Sequence, residues 1–223
     1  MRTVAIVQAR TGSTRLPGKV LADVAGRPMI DRVIDRARAA ARVDEVVIAT
    51  TDGPADDALA EAAGRLGVGC HRGSESDVLS RYRDGARAAG ADVVVRITGD
   101  CPLVDPGVID RVVDALGAGE PADLASNVIV RTYPKGLDAE ALSADALERI
   151  HRLGTSPAAR EHVTWFAYRE RPELFALRSV EHEHDFGDLN WSVDTPADLD
   201  RVRALYERFE LGERIRPWTE LLA

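Results

Sequence analysis

Cysteine is scarce in this chain, long apolar runs are missing and positive charge is in deficit, and each shortage argues against a class of protein. The two cysteines, Cys70 and Cys101, show no CxxC or CxxH spacing, which speaks against a disulfide scaffold or a zinc site and suits a reducing, cytoplasmic compartment. The first apolar stretch, Val4 to Val7, is too brief for a signal-peptide core or a membrane span. Lys and Arg number 29 against 37 Asp and Glu, a formal net charge of −8. A nucleic-acid groove normally shows as a basic surface, so neither nucleic acid nor membrane is an expected partner. Any phosphate binding has to come from a local cluster of cations. No internal repeat, low-complexity tract or Gly/Ser linker divides the chain, and the expectation is one domain over residues 1–223 with insertions at about 126–190.

What is present is the composition of a globular enzyme, with 45% apolar and 30% charged residues over 223 positions. Short β-branched runs alternate with segments of helical period. Strands are expected at Val4–Val7, Val46–Thr50, Val68–Cys70 and Val93–Ile97, and helices at Met29–Ala41, Ala55–Leu66, Asp77–Ala89 and Val108–Leu116. That alternation is a βα series feeding a mostly parallel sheet. Pro54, Pro106 and Pro196 each follow a short polar turn and open the next helix, so the turns fall at the carboxyl ends of strands, where open α/β sheets bind ligands. The second half is less regular: Leu124–Val130 and Phe175–Val180 read as extended, and Ala144–Leu153, Ala158–Glu170 and Ala197–Phe209 as helical.

The loop after the first strand is the most informative segment. From Gln8 and Ala9 it runs through Arg10, Gly12, Ser13, Thr14, Arg15 and Gly18 to Lys19. Glycines let backbone approach an anion, hydroxyls and free N–H groups donate to phosphate oxygens, and the cations neutralise them. The loop therefore has the parts of a triphosphate cradle. It is neither a Walker A loop, because Gly12 and Gly18 are six apart and Val20 follows Lys19, nor a GxGxxG dinucleotide fingerprint.

QARTGSTRLPGKVL resembles the signature of cytidylyltransferases similar to spore-coat polysaccharide biosynthesis proteins, relatives of the enzymes that activate ketodeoxyoctonate and sialic acid as CMP-sugars. The likeness continues in order through VVIATTD (46–52), RGSESDVLSRY (72–82), VRITGDCPLVDP (95–106), SNVIVRTYPKGLDAE (126–140), REHVT (160–164) and LNWSVDTPADL (189–199). It implies an α/β fold of the nucleotide-diphosphosugar transferase type, a mixed, mostly parallel sheet sandwiched by helices, and it implies a homodimer. Ser192 and Ala197 depart from the threonine and glutamate common in the last motif. Neither departure removes a metal ligand.

Two carboxylates far apart in sequence are candidates for one Mg²⁺ site. Asp100 follows the strand Val93–Ile97, and Asp194 follows an apparent strand Trp191–Val193. Mg²⁺ takes one or two carboxylates with phosphates and water. Thr195 is the better helix cap, because Pro196 then falls at the first helical position, which leaves the Asp194 side chain free. Asp105, directly before Pro106, is expected to be a cap. The resemblance also puts the metal-binding aspartates at Asp100 and Asp194.

Thr51 and Asp52 close the second strand, and Arg72, Ser74 and Asp77 follow the third. The resemblance puts them at the base and ribose, while a helix cap for Asp77 and a surface charge for Arg72 stay open as readings. Asn127, Arg131, Tyr133 and Lys135 lie in an irregular segment that suits an acceptor pocket, with Arg131 and Lys135 facing an acceptor carboxylate or phosphonate; a solvated loop stays open too. Glu161 and His162 of the REHVT motif, and Asn190, are candidates for the acceptor side, beside a packing reading for the first two. The run His182 to Asp185 matches no metal-ligand spacing and is expected to be a solvated turn.

The expected activity is Mg²⁺-dependent nucleotidyl transfer, with Arg10, Lys19 and Asp100 as catalytic residues, CTP as donor by resemblance and a small anionic acceptor. Two rivals differ in class. A glycosyltransferase of the same fold is opposed by the absence of a DxD motif near the fourth strand, and a non-catalytic nucleotide binder has no need of both cradle and aspartate pair.

Overall fold

A computed structural model describes all residues, 1–223. In chain order the strands are β1 (Thr3–Gln8), a short hairpin of β2 (Asp23–Val24) and β3 (Arg27–Pro28), β4 (Glu45–Thr51), β5 (Gly69–Gly73), β6 (Val93–Thr98), β7 (Leu124–Ser126), β8 (Glu140–Ser143) and β9 (Leu177–Ser179). The helices are α1 (Met29–Arg38), α2 (Asp57–Leu66), α3 (Val78–Ala88), α4 (Pro106–Gly117), α5 (Ala144–Leu153), α6 (Pro157–His162) and α7 (Pro196–Arg208).

Seven strands form one sheet in the order β5-β4-β1-β6-β8-β7-β9. β1 lies at its centre, parallel to β4 and β6, and β4 is parallel to β5. Alternation along β1 explains the layers. Ala5 and Val7 join a core with residues of α1, α2, α4 and α7, whereas Val4 and Ile6 join a second core with residues of α3, α5 and α6. Successive side chains of a strand point to opposite faces, so a strand apolar at every position has to be covered on both. The result is the mixed, helix-sandwiched sheet that the sequence implies.

Four features differ from the expectation. β8, which the sequence reading missed, runs antiparallel between β6 and β7, with Arg96 opposite Glu140. The extended run from Leu124 stops at Ser126, because the Asn127 side chain turns to donate to the Leu137 carbonyl and accept from the Ala139 N–H. The helix expected over 158–170 breaks at Val163, whose φ is 51°, and resumes as a π-turn over Phe166–Glu170. Residues Trp191–Val193 form no strand; the chain bends at Ser192 and is tied to Lys135 and Asp100 by backbone hydrogen bonds.

Candidate active site

The cradle leaves the carboxyl end of β1 and folds back on itself. The Gly18 N–H donates to the Thr11 carbonyl at 2.9 Å, and Gly18 has a φ of 70°, a left-handed conformation that favours glycine. Thr11 donates from both its N–H and its hydroxyl to Asp56 Oδ1, each at 2.7 Å, while the Thr51 hydroxyl donates to Asp56 Oδ2 at 2.6 Å. Asp56 thus pins the loop to the end of β4. Burial pushes its carboxyl up, but these donors outweigh it and its pKa is lowered. Sequence reasoning missed Asp56; its place two residues after Pro54 read only as the start of a helix.

Lys19 comes out of the cradle into the position where the distant aspartates meet. Its Nζ lies 2.9 Å from Asp100 Oδ2, 3.0 Å from Asp194 Oδ1 and 2.7 Å from the Val193 carbonyl. Arg15 adds a second contact to Asp194 Oδ1 at 2.9 Å, and Lys135 reaches Asp194 Oδ2 at 3.2 Å. The backbone brings them together. Gly99 lets the end of β6 pass β1 closely, since a Cβ there would meet Ala9 Cβ at 2.9 Å, and the Val193 N–H donates to the Asp100 carbonyl at 2.9 Å. Burial opposes the Lys19 charge, but the two carboxylates outweigh it and raise its pKa. Burial likewise works against the Asp194 carboxylate, and Lys19 and Lys135 overcome it to hold its pKa low.

The Asp194 side chain is free for this work because Thr195 caps α7. Thr195 and Asp198 form a reciprocal capping box, and Pro196 opens the helix, as expected. Asp105 caps α4 and also accepts from the Trp218 N–H at 2.9 Å. Three oxygens, two of them carboxylate, converge on one cation position. That donor set, which here surrounds the Lys19 ammonium, suits a hard ion such as Mg²⁺, whose usual complement of one or two carboxylates leaves room for other oxygen ligands.

Other expected nucleotide contacts stand apart from this cluster. Arg10 is drawn to Glu75 at 2.9 Å on the exposed rim. Arg72 is occupied by the Thr51 and Gly53 carbonyls at 2.9 and 2.8 Å and by Asp57 at 2.7 Å, so it braces the turn after β4. Asp77 caps α3 through the Ser80 N–H and hydroxyl, and Ser74 in turn accepts from the Asp77 N–H. Asp52 is exposed beside them, its N–H held by the Gly73 carbonyl.

On the acceptor side the structure corrects several expectations. Tyr133 is fully buried, with its hydroxyl accepting from Arg111 and its ring against Trp218. Asn127 is fully buried, and its amide is consumed by backbone. The Asn190 side-chain Oδ1 accepts from the Ser192 N–H and hydroxyl. Glu161 and His162 are exposed at the end of α6. Arg131 is bound in bidentate fashion by Asp138 at 2.7 and 3.0 Å, and Lys135 by Asp194. Of the run expected to be a solvated turn, Glu183, His184 and Asp185 are exposed, whereas His182 is half-buried and packs against Trp218 at 5.1 Å between ring centroids.

A cleft of about 410 Å³ does lie on this side, lined by Arg131 and Asp138 and by Arg96, Glu140, Tyr168 and Arg169, four residues the sequence reading did not single out. Arg96 donates to Glu140 Oε2 at 2.6 Å and lies 3.5 Å from Gln8 Oε1, which joins the cleft to the cradle. Glu140 opposes burial's penalty on the Arg96 charge and raises its pKa.

Residues 4–211 match the sequence profile of the Cytidylyltransferase family. The chain belongs to that family. Like its relatives, this cytidylyltransferase-family chain is a nucleotidyltransferase. It is 34% identical to the spore coat polysaccharide biosynthesis protein SpsF of Bacillus subtilis, over 94% of this chain and 87% of that protein. It is 36% identical to the 3-deoxy-manno-octulosonate cytidylyltransferase of Anaeromyxobacter sp. strain Fw109-5, over 92% of this chain and 97% of that one. Among solved structures, a cytidylyltransferase from Leptospira borgpetersenii superposes with a TM-score of 0.94 at 30% identity, over all of this chain and 92% of that one. A CMP:2-keto-3-deoxy-manno-octonic acid synthetase complexed with CTP shares the fold, with a TM-score of 0.73 at 24% identity, over 94% of this chain and all of that one.

Within the family member described here, no helix is long and apolar enough to cross a membrane. Arg96 and Glu140 escaped notice because one is an interior position of a strand and the other opens a strand of four residues. The signal that could have found them is charge in a place where a strand should be apolar.

Proposed function

We propose that this nucleotidyltransferase transfers CMP from CTP to a small acidic acceptor, with Mg²⁺, and releases pyrophosphate. The observation that carries the reading is the meeting of Asp100, Asp194 and the Val193 carbonyl around the Lys19 ammonium at the foot of the cradle. CTP as the donor is supported by family membership. An acceptor oxygen attacks the α-phosphorus in line, the bond from that phosphorus to the bridging oxygen breaks, and pyrophosphate departs with the bond electrons. Asp100 and Asp194 would hold Mg²⁺, which when bound would supply Lewis-acid polarisation of the α-phosphate and lower the pKa of an oxygen nucleophile.

The protein's own part is positioning and neutralisation. Cradle N–H groups and the Ser13 and Thr14 hydroxyls bind phosphate oxygens, and Arg15 and Lys19 stabilise charge on the α-phosphate and the leaving pyrophosphate. Arg10 joins them by exchanging Glu75 for phosphate. An acceptor already ionised at neutral pH requires no general base; a hydroxyl acceptor releases its proton to solvent. The enzyme acts in the cytoplasm as a homodimer in this reading, which light scattering tests.

Pyrophosphate release, measured with each of four NTPs against sugar acids, polyol phosphates and phosphonates, tests the reaction. Release with CTP and one acceptor class is expected. Release with another NTP alone overturns the base assignment, and transfer of a sugar from a nucleotide sugar overturns the reaction class.

A further inference from the structure

We propose that Arg169 is the anchor for the anionic group of the acceptor and so determines acceptor specificity. The inference rests on the transfer reaction proposed above and names a residue that neither family membership nor the sequence motifs assign.

Charge in the cleft is the first argument. Its lining holds three guanidinium groups, of Arg96, Arg131 and Arg169, against two carboxylates, of Asp138 and Glu140, which leaves one positive charge. Arg131 is spent on Asp138 and Arg96 on Glu140. Lys135, the other cation of this side, is spent on Asp194. Arg169 has no acidic partner and no hydrogen bond; its guanidinium lies 5.4 Å from the centroid of the Tyr168 ring, a contact that orients the group without neutralising it. An arriving anion thus finds one guanidinium free to take it in bidentate fashion.

Backbone geometry is the second. Val163 is fully buried and β-branched, yet holds a φ of 51°, a costly conformation that persists only where the surroundings enforce it. It ends α6, and the chain then winds as a π-turn over Phe166–Glu170, a form found disproportionately at functional sites. The turn keeps Phe166 and Ala167 in the core and delivers Tyr168 and Arg169 to the cleft.

The rest of the lining includes a buried ion pair. Glu140 is 1% exposed; its Oε2 accepts from Arg96 and from the Thr164 hydroxyl, while Oε1 and Arg96 Nε have no partner. Buried polar groups are normally satisfied, so two unpartnered polar atoms in the interior beneath the cleft mark this side of it as unusually polar. The link from Arg96 to Gln8 sets the cleft beside the nucleotide cradle.

The test uses the full chain loaded with CTP and Ca²⁺, and two probes: gluconate for a carboxylate beside hydroxyls, and methylphosphonate for a phosphonate. Binding is followed by saturation-transfer NMR, with CTP affinity from calorimetry. Arg169→Gln is expected to weaken the probe that binds wild type by about tenfold or more, Arg169→Lys to restore part of the loss, and CTP affinity to stay unchanged in both. Arg152→Gln, an exposed arginine outside the lining, is the control for general electrostatics. Equal probe binding by wild type and Arg169→Gln, an equal loss in Arg152→Gln, or binding of neither probe to CTP-loaded wild type overturns the assignment. Failure of wild type to bind CTP instead overturns the underlying reading.

Discussion

Lys19 holds Asp194 at 3.0 Å from the same place at which it holds Asp100 at 2.9 Å, so one ammonium spans the carboxylate pair. In that position it competes with any divalent cation that the pair would bind. Lys19→Met is therefore expected to bind Mn²⁺ about tenfold more tightly than wild type in the absence of nucleotide, as read by electron paramagnetic resonance. Equal Mn²⁺ affinity would show that the lysine does not guard the site.

The same lysine is expected to be required for turnover. Lys19→Ala and Asp100→Asn each lose roughly 10²-fold or more in kcat, the scale of removing one preorganised charge from a transition state. Their melting temperatures are expected to change little relative to that loss. Rates like those of wild type in either variant would contradict the proposed chemistry.

Gly136 is a structural precondition for Lys135. Its φ is 104°, and a Cβ there would lie 2.6 Å from Ser192 N and from the Trp191 carbonyl carbon. Gly136→Ala is expected to lower stability by about 1–3 kcal/mol or more through backbone strain and overlap. Denaturant unfolding measures the loss. Activity is expected to fall as well, because the overlap forces apart the segments that carry Lys135 and Asp194.

Asp198 gives a pH dependence with a definite sign. Burial raises its carboxyl, but donors from Thr195, Arg201 and the Asp194 N–H prevail and bring its pKa down to about 2. A depressed folded-state value means that its stabilisation is fully present above the unfolded value, near 4, and is lost as pH falls toward 2. Asp198→Asn is expected to be less stable than wild type at pH 6, by about 1 kcal/mol for the weakened cap, with the difference shrinking between pH 4 and 2. Unfolding curves at those pH values test it.

How much was legible in the sequence depended on whether the cause was local. The central strands, α5 and the freedom of Asp194 follow from periodicity and from Thr195-Pro196, all within a few residues. Asp56, Glu140 and Arg169 take their roles from partners or neighbours that the fold supplies, and no short window of sequence contains them. Tyr133 and Asn127 were misread for the opposite reason. Both are polar residues in an irregular segment, yet one packs its ring into the core and the other spends its amide on backbone.

The reversed direction of β8 divides the molecule by task. Parallel strands present their ends, and the loops after them, to one rim of the sheet; β8 runs the other way, so it is its beginning that reaches the level of Arg96 in β6. The polypeptide leading into β8 therefore shares a rim with loops following β1 and β6. Changes between residues 126 and 140 can accordingly remodel one wall while the parallel strands and their loops stay fixed. A lineage built on this sheet can diversify what it modifies without rebuilding how it is powered.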